Sequence, residues 1–119
     1  MLSGKSILIV EEAALIAVDI ETVLGELGAA QVVTMGGGET PLPASVKDGA
    51  IDLAILDIST AASRGDDLSS TIDKAGAPVI FLTTDPQVDA VPDFGGRFQT
   101  VQKPFTYEEL CGALARLMA

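Results

Sequence analysis

The chain has no histidine, no tryptophan and a single cysteine, Cys111. With no imidazole and one thiol it cannot assemble the His and Cys ligand sets that hold zinc, and Cys111 cannot close an internal disulfide. Such thiol usage fits a reducing, cytoplasmic setting. Aromatic residues make up 4% of the sequence, too few to supply base-stacking platforms or aromatic cages. Basic residues are scarce as well, 7 Lys and Arg against 17 Asp and Glu, for a formal net charge of -10. A surface this acidic repels a phosphate backbone, so no nucleic-acid partner is expected. Long hydrophobic runs are also missing. The first one, Ile7-Leu-Ile-Val10, is ended by Glu11 and Glu12 well short of a signal peptide or a membrane span, so no membrane partner is expected.

At 119 residues the chain has the size of one ordinary domain, and a single unit over residues 1–119 with no output domain is expected. Three apolar runs, Ser6 to Val10, Asp52 to Leu56 and Pro78 to Leu82, are hydrophobic without alternation, as buried parallel strands are. Weaker runs from Ala30 to Met35 and Arg97 to Gln102 bring the strands to five. Between the first two, Leu15, Val18, Ile20, Val23, Leu24 and Leu27 recur at helical spacing over Ala13 to Leu27, and Gly28 stops the helix. Thr106-Tyr-Glu-Glu109 reads as a capping box opening a last helix through Leu110, Leu114 and Leu117. In the middle, a short helix from Leu42 to Lys47, one from about Asp66 to Lys74, and two turns at most from Asp85 to Val91 are expected. Strands alternating with helices predict an α/β fold, a flavodoxin-like doubly wound five-stranded parallel sheet of order 2-1-3-4-5 with helices on both faces.

In such a sheet ligands bind at the carboxyl ends of the strands. Glu11-Glu12, Asp57, Thr83-Thr84 and Lys103 each follow directly on an apolar run. Neighbouring carboxylates repel one another, so the cluster calls for a cation or partial protonation. Magnesium fits an oxygen-only rim, and Lys103 adds a second positive charge. Phosphoryl transfer needs that neutralisation and an in-line nucleophile, which a carboxylate such as Asp57 can be.

Four segments taken in order, Ile7-Leu-Ile-Val-Glu-Glu12, Asp52-Leu-Ala-Ile-Leu-Asp57-Ile-Ser59, Pro78-Val-Ile-Phe-Leu-Thr83 and Val101-Gln-Lys103-Pro104-Phe105, resemble the CheY-like receiver domains of bacterial two-component response regulators. The resemblance implies that Asp57 accepts a phosphoryl group from a phosphohistidine on a sensor histidine kinase or histidine phosphotransferase, and that the chain signals through a downstream protein target not named by the sequence. It implies magnesium on Glu12, Asp57 and the backbone carbonyl of Ser59, with Glu11 acting through water. Thr83, the amide of Thr84 and Lys103 would bind the phosphoryl oxygens, and the Lys103-Pro104 peptide would be cis. Homodimerisation is compatible with the family, and turnover of external substrates is not expected, so the chain is not read as an enzyme. A phosphatase of the haloacid dehalogenase type would want an aspartate where Ser59 stands.

The sequence also departs from that family. Glu12 stands where aspartate is usual, and its extra methylene moves the carboxylate by about one bond. Thr100 replaces the aromatic residue whose rotamer usually reports phosphorylation. Ala61 replaces a proline four residues after the acceptor, while Gly65 is kept, and the stretch from Thr84 to Phe98 is short. These departures keep open an alternative, a pseudo-receiver that retains the fold and binds partners without phosphorylation.

Overall fold

The computed structural model describes residues 2–37, 44, 48–64, 68–84 and 96–118. Helix expectations over Leu42 to Lys47, Ala44 apart, and over Asp85 to Val91, and the kept Gly65, fall outside the described residues. The elements run β1 Ser6–Val10, α1 Ala14–Glu26, β2 Gln31–Met35, β3 Leu53–Asp57, α2 Ile58–Ala62, α3 Leu68–Ala75, β4 Val79–Thr83, β5 Phe98–Gln102 and α4 Tyr107–Met118. All strand pairs are parallel, in the order β2-β1-β3-β4-β5. This is the doubly wound sheet expected from the alternation of strand and helix.

The alternation of side chains along each strand splits the core in two. Ile7 and Ile9, Leu53 and Ile55, Ile80 and Leu82, and Val101 pack against Ile20, Leu24, Leu110, Leu114 and Leu117 of α1 and α4. Leu8 and Val10, Ala54 and Leu56, and Val79 and Phe81 pack with Met35, Leu68 and Ile72 on the opposite face. Central strands buried on both faces must read as continuous apolar runs, which is why they stood out in the sequence.

α1 ends where Gly28 takes a positive φ of 93°. The amides of Gly28 and Ala29 donate to the carbonyls of Gly25 and Leu24 at 3.1 Å each, closing the last turn in a Schellman arrangement that favours glycine. Its buried stripe is Ala17, Ile20, Val23 and Leu24. Leu15 and Val18, expected on that stripe from their spacing, are instead 83% and 55% exposed. The small Ala17 takes the inward place, and the apolar residues on both sides of it broaden the pattern beyond the face that the sheet covers. At α4 the capping box forms as read: Thr106 Oγ1 accepts from the Glu109 amide at 3.1 Å and Glu109 Oε1 accepts from the Thr106 amide at 2.9 Å.

The boundaries that bear on the site differ from expectation by one residue, β4 ending at Thr83. β3 is shifted by one residue to include Asp57, and α2 follows it without a loop. Asp57 serves as the N-cap of α2, its side chain accepting from the Thr60 amide. None of the described helices is long and apolar enough to cross a membrane.

Candidate functional site at the carboxyl rim of the sheet

Strand register brings the acidic residues together. Val10 pairs with Leu56, so one step further Glu11 stands beside Asp57. The Glu11 amide donates to the Met35 carbonyl at 3.0 Å and the Lys103 amide to the Thr83 carbonyl at 2.7 Å, so the backbone ladders continue past the assigned strands. Glu11 follows Ile7 and Ile9, Asp57 follows Leu53 and Ile55, and Lys103 follows Val101, all on the face that α1 and α4 cover. Period-two geometry therefore aims all three side chains to one side.

They meet there. Lys103 Nζ lies 2.7 Å from Glu11 Oε1 and 2.7 Å from Asp57 Oδ1. The β5 strand is two strands away from β3, about 10 Å, and the long lysine stem bridges that gap. Glu11 and Asp57 are both buried. Asp57 Oδ2 accepts from the Thr60 amide at 2.9 Å and the Thr60 hydroxyl at 2.8 Å. Burial pushes the Asp57 carboxyl up, but the bond from Lys103, the two from Thr60 and the lysine charge bring it below its ordinary 3.8. Burial likewise lowers Lys103, and its bonds to Asp57 and Glu11 outweigh that and raise it above 10.5. Both shifts favour the charged forms, with Asp57 held as carboxylate and Lys103 as ammonium.

The remaining rim residues are placed less tightly. Glu12 is exposed, with its amide donating to Thr60 Oγ1 at 3.4 Å. A Cβ added to Gly37 would lie 3.1 Å from Glu12 Oε1 and 3.0 Å from the Thr60 carbonyl and would collide with Ser63 Oγ. A side chain there would have to displace Ser63 Oγ, so close approach favours glycine at this position. Thr83 is half-buried at the end of β4 and Thr84 is exposed. The Ser59 carbonyl accepts from the Ser63 amide at 3.1 Å; a carbonyl has two lone pairs, so this bond does not by itself exclude a cation. The Lys103-Pro104 peptide is cis. Thr100 is exposed on β5, and the aromatic on the same side of that strand is Phe98, packed edge-on against Phe81 at 5.6 Å.

In kind, these donors fit magnesium, since Glu11, Glu12, Asp57 and the Ser59 carbonyl are all oxygen ligands. They are not gathered round one point: among the described residues no three His, Cys, Asp or Glu side chains converge on a metal position. Lys103 lies between Glu11 and Asp57, and Glu12 lies over Gly37. Beside the lysine, a groove of about 310 Å³ opens between α1 and the segment after β5, lined by Ile16, Asp19, Thr84, Lys103, Pro104 and Phe105.

Two residues in this region escaped the sequence reading. Thr60 had a signal, its position three after a helix-capping aspartate. Arg64, buried and donating from Nη1 to the Gly36 carbonyl at 2.9 Å, had none, because its partner is a backbone atom 28 residues away.

Known proteins are similar to this chain in sequence and fold. SdrG from Pseudomonas melonis Fr1, in a BeF3-activated conformation, is 33% identical over 100% of both chains with a TM-score of 0.73. SdrG from Sphingomonas melonis Fr1 is 30% identical, again over 100% of both chains, with a TM-score of 0.71. The receiver domain of the sensor histidine kinase PA1611 from Pseudomonas aeruginosa PAO1, described with a magnesium ion in its active-site cleft, is 25% identical over 98% of both chains with a TM-score of 0.72. No curated protein matches the chain significantly. The response regulator receiver domain family matches residues 7–115. A match that spans nearly the whole sheet, rim included, leaves one assignment: the chain belongs to the receiver domain family of response regulators.

Proposed function

We propose that the chain is a phosphoryl-accepting receiver in which Asp57 is the acceptor, a phosphohistidine on a sensor kinase or phosphotransfer protein is the donor, and a protein partner reads the result. One observation carries this reading. A buried carboxylate at the end of the central strand is kept ionised by an ammonium 2.7 Å from the oxygen, Oδ1, that would attack.

In the transfer, Asp57 Oδ1 forms a bond to phosphorus as the phosphorus–nitrogen bond of the donor breaks, and the imidazole keeps the bonding pair. Lys103 follows the incoming phosphoryl oxygens and offsets their charge. The Thr83 hydroxyl and the Thr84 amide supply further donors at the neighbouring strand end. Magnesium, held by Asp57, Glu12 and the Ser59 carbonyl with Glu11 acting through water, would neutralise phosphoryl charge when bound. Chemistry on external substrates is not part of this function; the chain turns over only its own phosphoryl group. The donor reaches Asp57 along the groove beside Lys103. Leu15 and Val18, exposed on the outward side of α1, give its protein an apolar surface to dock on.

Incubation with magnesium and acetyl phosphate should add one phosphoryl mass to the intact protein, and Asp57→Asn should add none. Unmodified wild-type protein would remove the reading. A second reading, the pseudo-receiver, is favoured by the exposed Glu12 and by Thr100 in place of an aromatic. It predicts no magnesium binding at millimolar concentration and no beryllofluoride adduct on Asp57, in contrast to the relative described in a BeF3-activated conformation.

A further inference from the structure

Thr60 belongs to none of the four receiver-like motifs, yet it is 2% exposed and sits against the acceptor. Its amide and its hydroxyl both donate to Asp57 Oδ2, at 2.9 and 2.8 Å, and its hydroxyl oxygen accepts from the Glu12 amide at 3.4 Å. It therefore ties the acceptor to the turn that carries the acidic pair.

A carboxylate oxygen offers about two lone-pair sites. Both sites of Oδ2 are taken by Thr60, and Oδ1 is engaged by Lys103 at 2.7 Å. A divalent cation reaching Asp57 must either share Oδ1 with an ammonium or displace a donor from Oδ2. Sharing costs more, because the lysine bond is charge-assisted and two cations would then face each other. Of the donors on Oδ2, the amide is fixed by the backbone of α2, whereas the hydroxyl hydrogen turns about a single bond.

We infer that Thr60 is a positioning residue that gates the acceptor: its hydroxyl holds Asp57 Oδ2 in the metal-free protein and must turn away for a divalent cation to take that oxygen. The inference rests on the reading of Asp57 as a metal-binding phosphoacceptor. As the hydrogen turns away, the hydroxyl oxygen still accepts from the Glu12 amide, so the turn stays in place while the carboxylate is released.

The test is calorimetric titration of magnesium into wild-type protein, Thr60→Val and Thr60→Ser, with metal-free thermal melts and acetyl phosphate labelling in parallel. Valine keeps the shape and removes the hydroxyl; serine keeps the hydroxyl. Thr60→Val should bind magnesium about three- to tenfold more tightly, the equivalent of one net hydrogen bond, while melting at a lower temperature without metal. Thr60→Ser should match wild type in affinity. A residue with a purely structural role would lose stability and affinity together. Equal or weaker binding by Thr60→Val, valine-like behaviour of Thr60→Ser, or no binding by any of the three proteins would overturn the gate. Binding by Thr60→Val where wild type shows none would support it. A wild-type protein that binds magnesium but gains no phosphoryl mass would fail the acceptor reading alone.

Discussion

The rim of β1 and β3 and the outer edge at β5 belong to one sheet but obey different constraints. At the rim the buried charged groups are held. Glu11, Asp57 and Lys103 are linked within 2.7 Å, and Thr60 pins the remaining Asp57 oxygen. At the edge Phe98 is 41% exposed, with one ring edge against Phe81, and Thr100 and Gln102 face solvent, so the side chains of the last two are little restricted. β3 is buried along its whole length, whereas in β5 only Val101 is. A buried charge must be partnered or it costs several kcal/mol, while an exposed side chain carries almost no such demand. Substitutions at the rim should therefore be severe and specific, and those at the edge nearly silent.

The sharpest break should come from Lys103→Met, which leaves Glu11 and Asp57 side by side with no cation. Urea denaturation should show a loss of about 3 kcal/mol, the cost of removing one partner from a buried pair, and acetyl phosphate labelling of Asp57 should fall at least tenfold. Magnesium should restore part of the stability by supplying the missing charge. If Lys103→Met is as stable as wild type, the rim is less constrained than its distances imply.

A second comparison separates donor docking from chemistry. Leu15→Asp with Val18→Asp lies on α1 away from the ion pair. It should cut phosphoryl transfer from a phosphohistidine protein by about tenfold, or 1.4 kcal/mol, and leave acetyl phosphate labelling unchanged. Equal loss with both donors would show that these residues act on the fold and not on docking.

The ion pair also predicts how stability follows pH. The Asp57 carboxyl is lowered in the folded protein, so its contribution is present above 3.8 and is lost as pH falls through the folded value. Lys103 is raised, so its contribution is present below 10.5 and is lost as pH rises through its folded value. Thermal melts of wild type should decline at both extremes, and Lys103→Met should decline less at each.

The smallest effect is expected at the edge. Thr100→Tyr should change stability by no more than about 0.5 kcal/mol and leave Asp57 labelling within twofold, measured by denaturation and by mass. A large effect on labelling would mean that this edge is coupled to the rim in the free protein.

Much of this was legible in the sequence because buried parallel strands announce themselves. β1 was read to the residue, and each other strand within one residue at either end. Asp57, Glu11 and Lys103 were legible for the same reason: a polar residue directly after such a run has nowhere to stand but the rim. The stripe of α1 was misread because Leu15 and Val18 have the spacing of a buried face without its burial. α2 was missed because a five-residue helix gives too few residues for a periodic signal.

By itself, then, the amino-acid order determined the five strands, the parallel topology and the three charged corners of the rim, since these follow from local periodicity and from what ends each apolar run. Tertiary structure alone decided that Glu11, not Glu12, shares Lys103 with Asp57, that Gly37 is closely approached by Ser63 and Thr60, and that Thr60 holds the Asp57 carboxylate. Those outcomes depend on contacts between residues far apart in the chain, 92 positions for Glu11 and Lys103, and no local pattern encodes which of two adjacent carboxylates points inward.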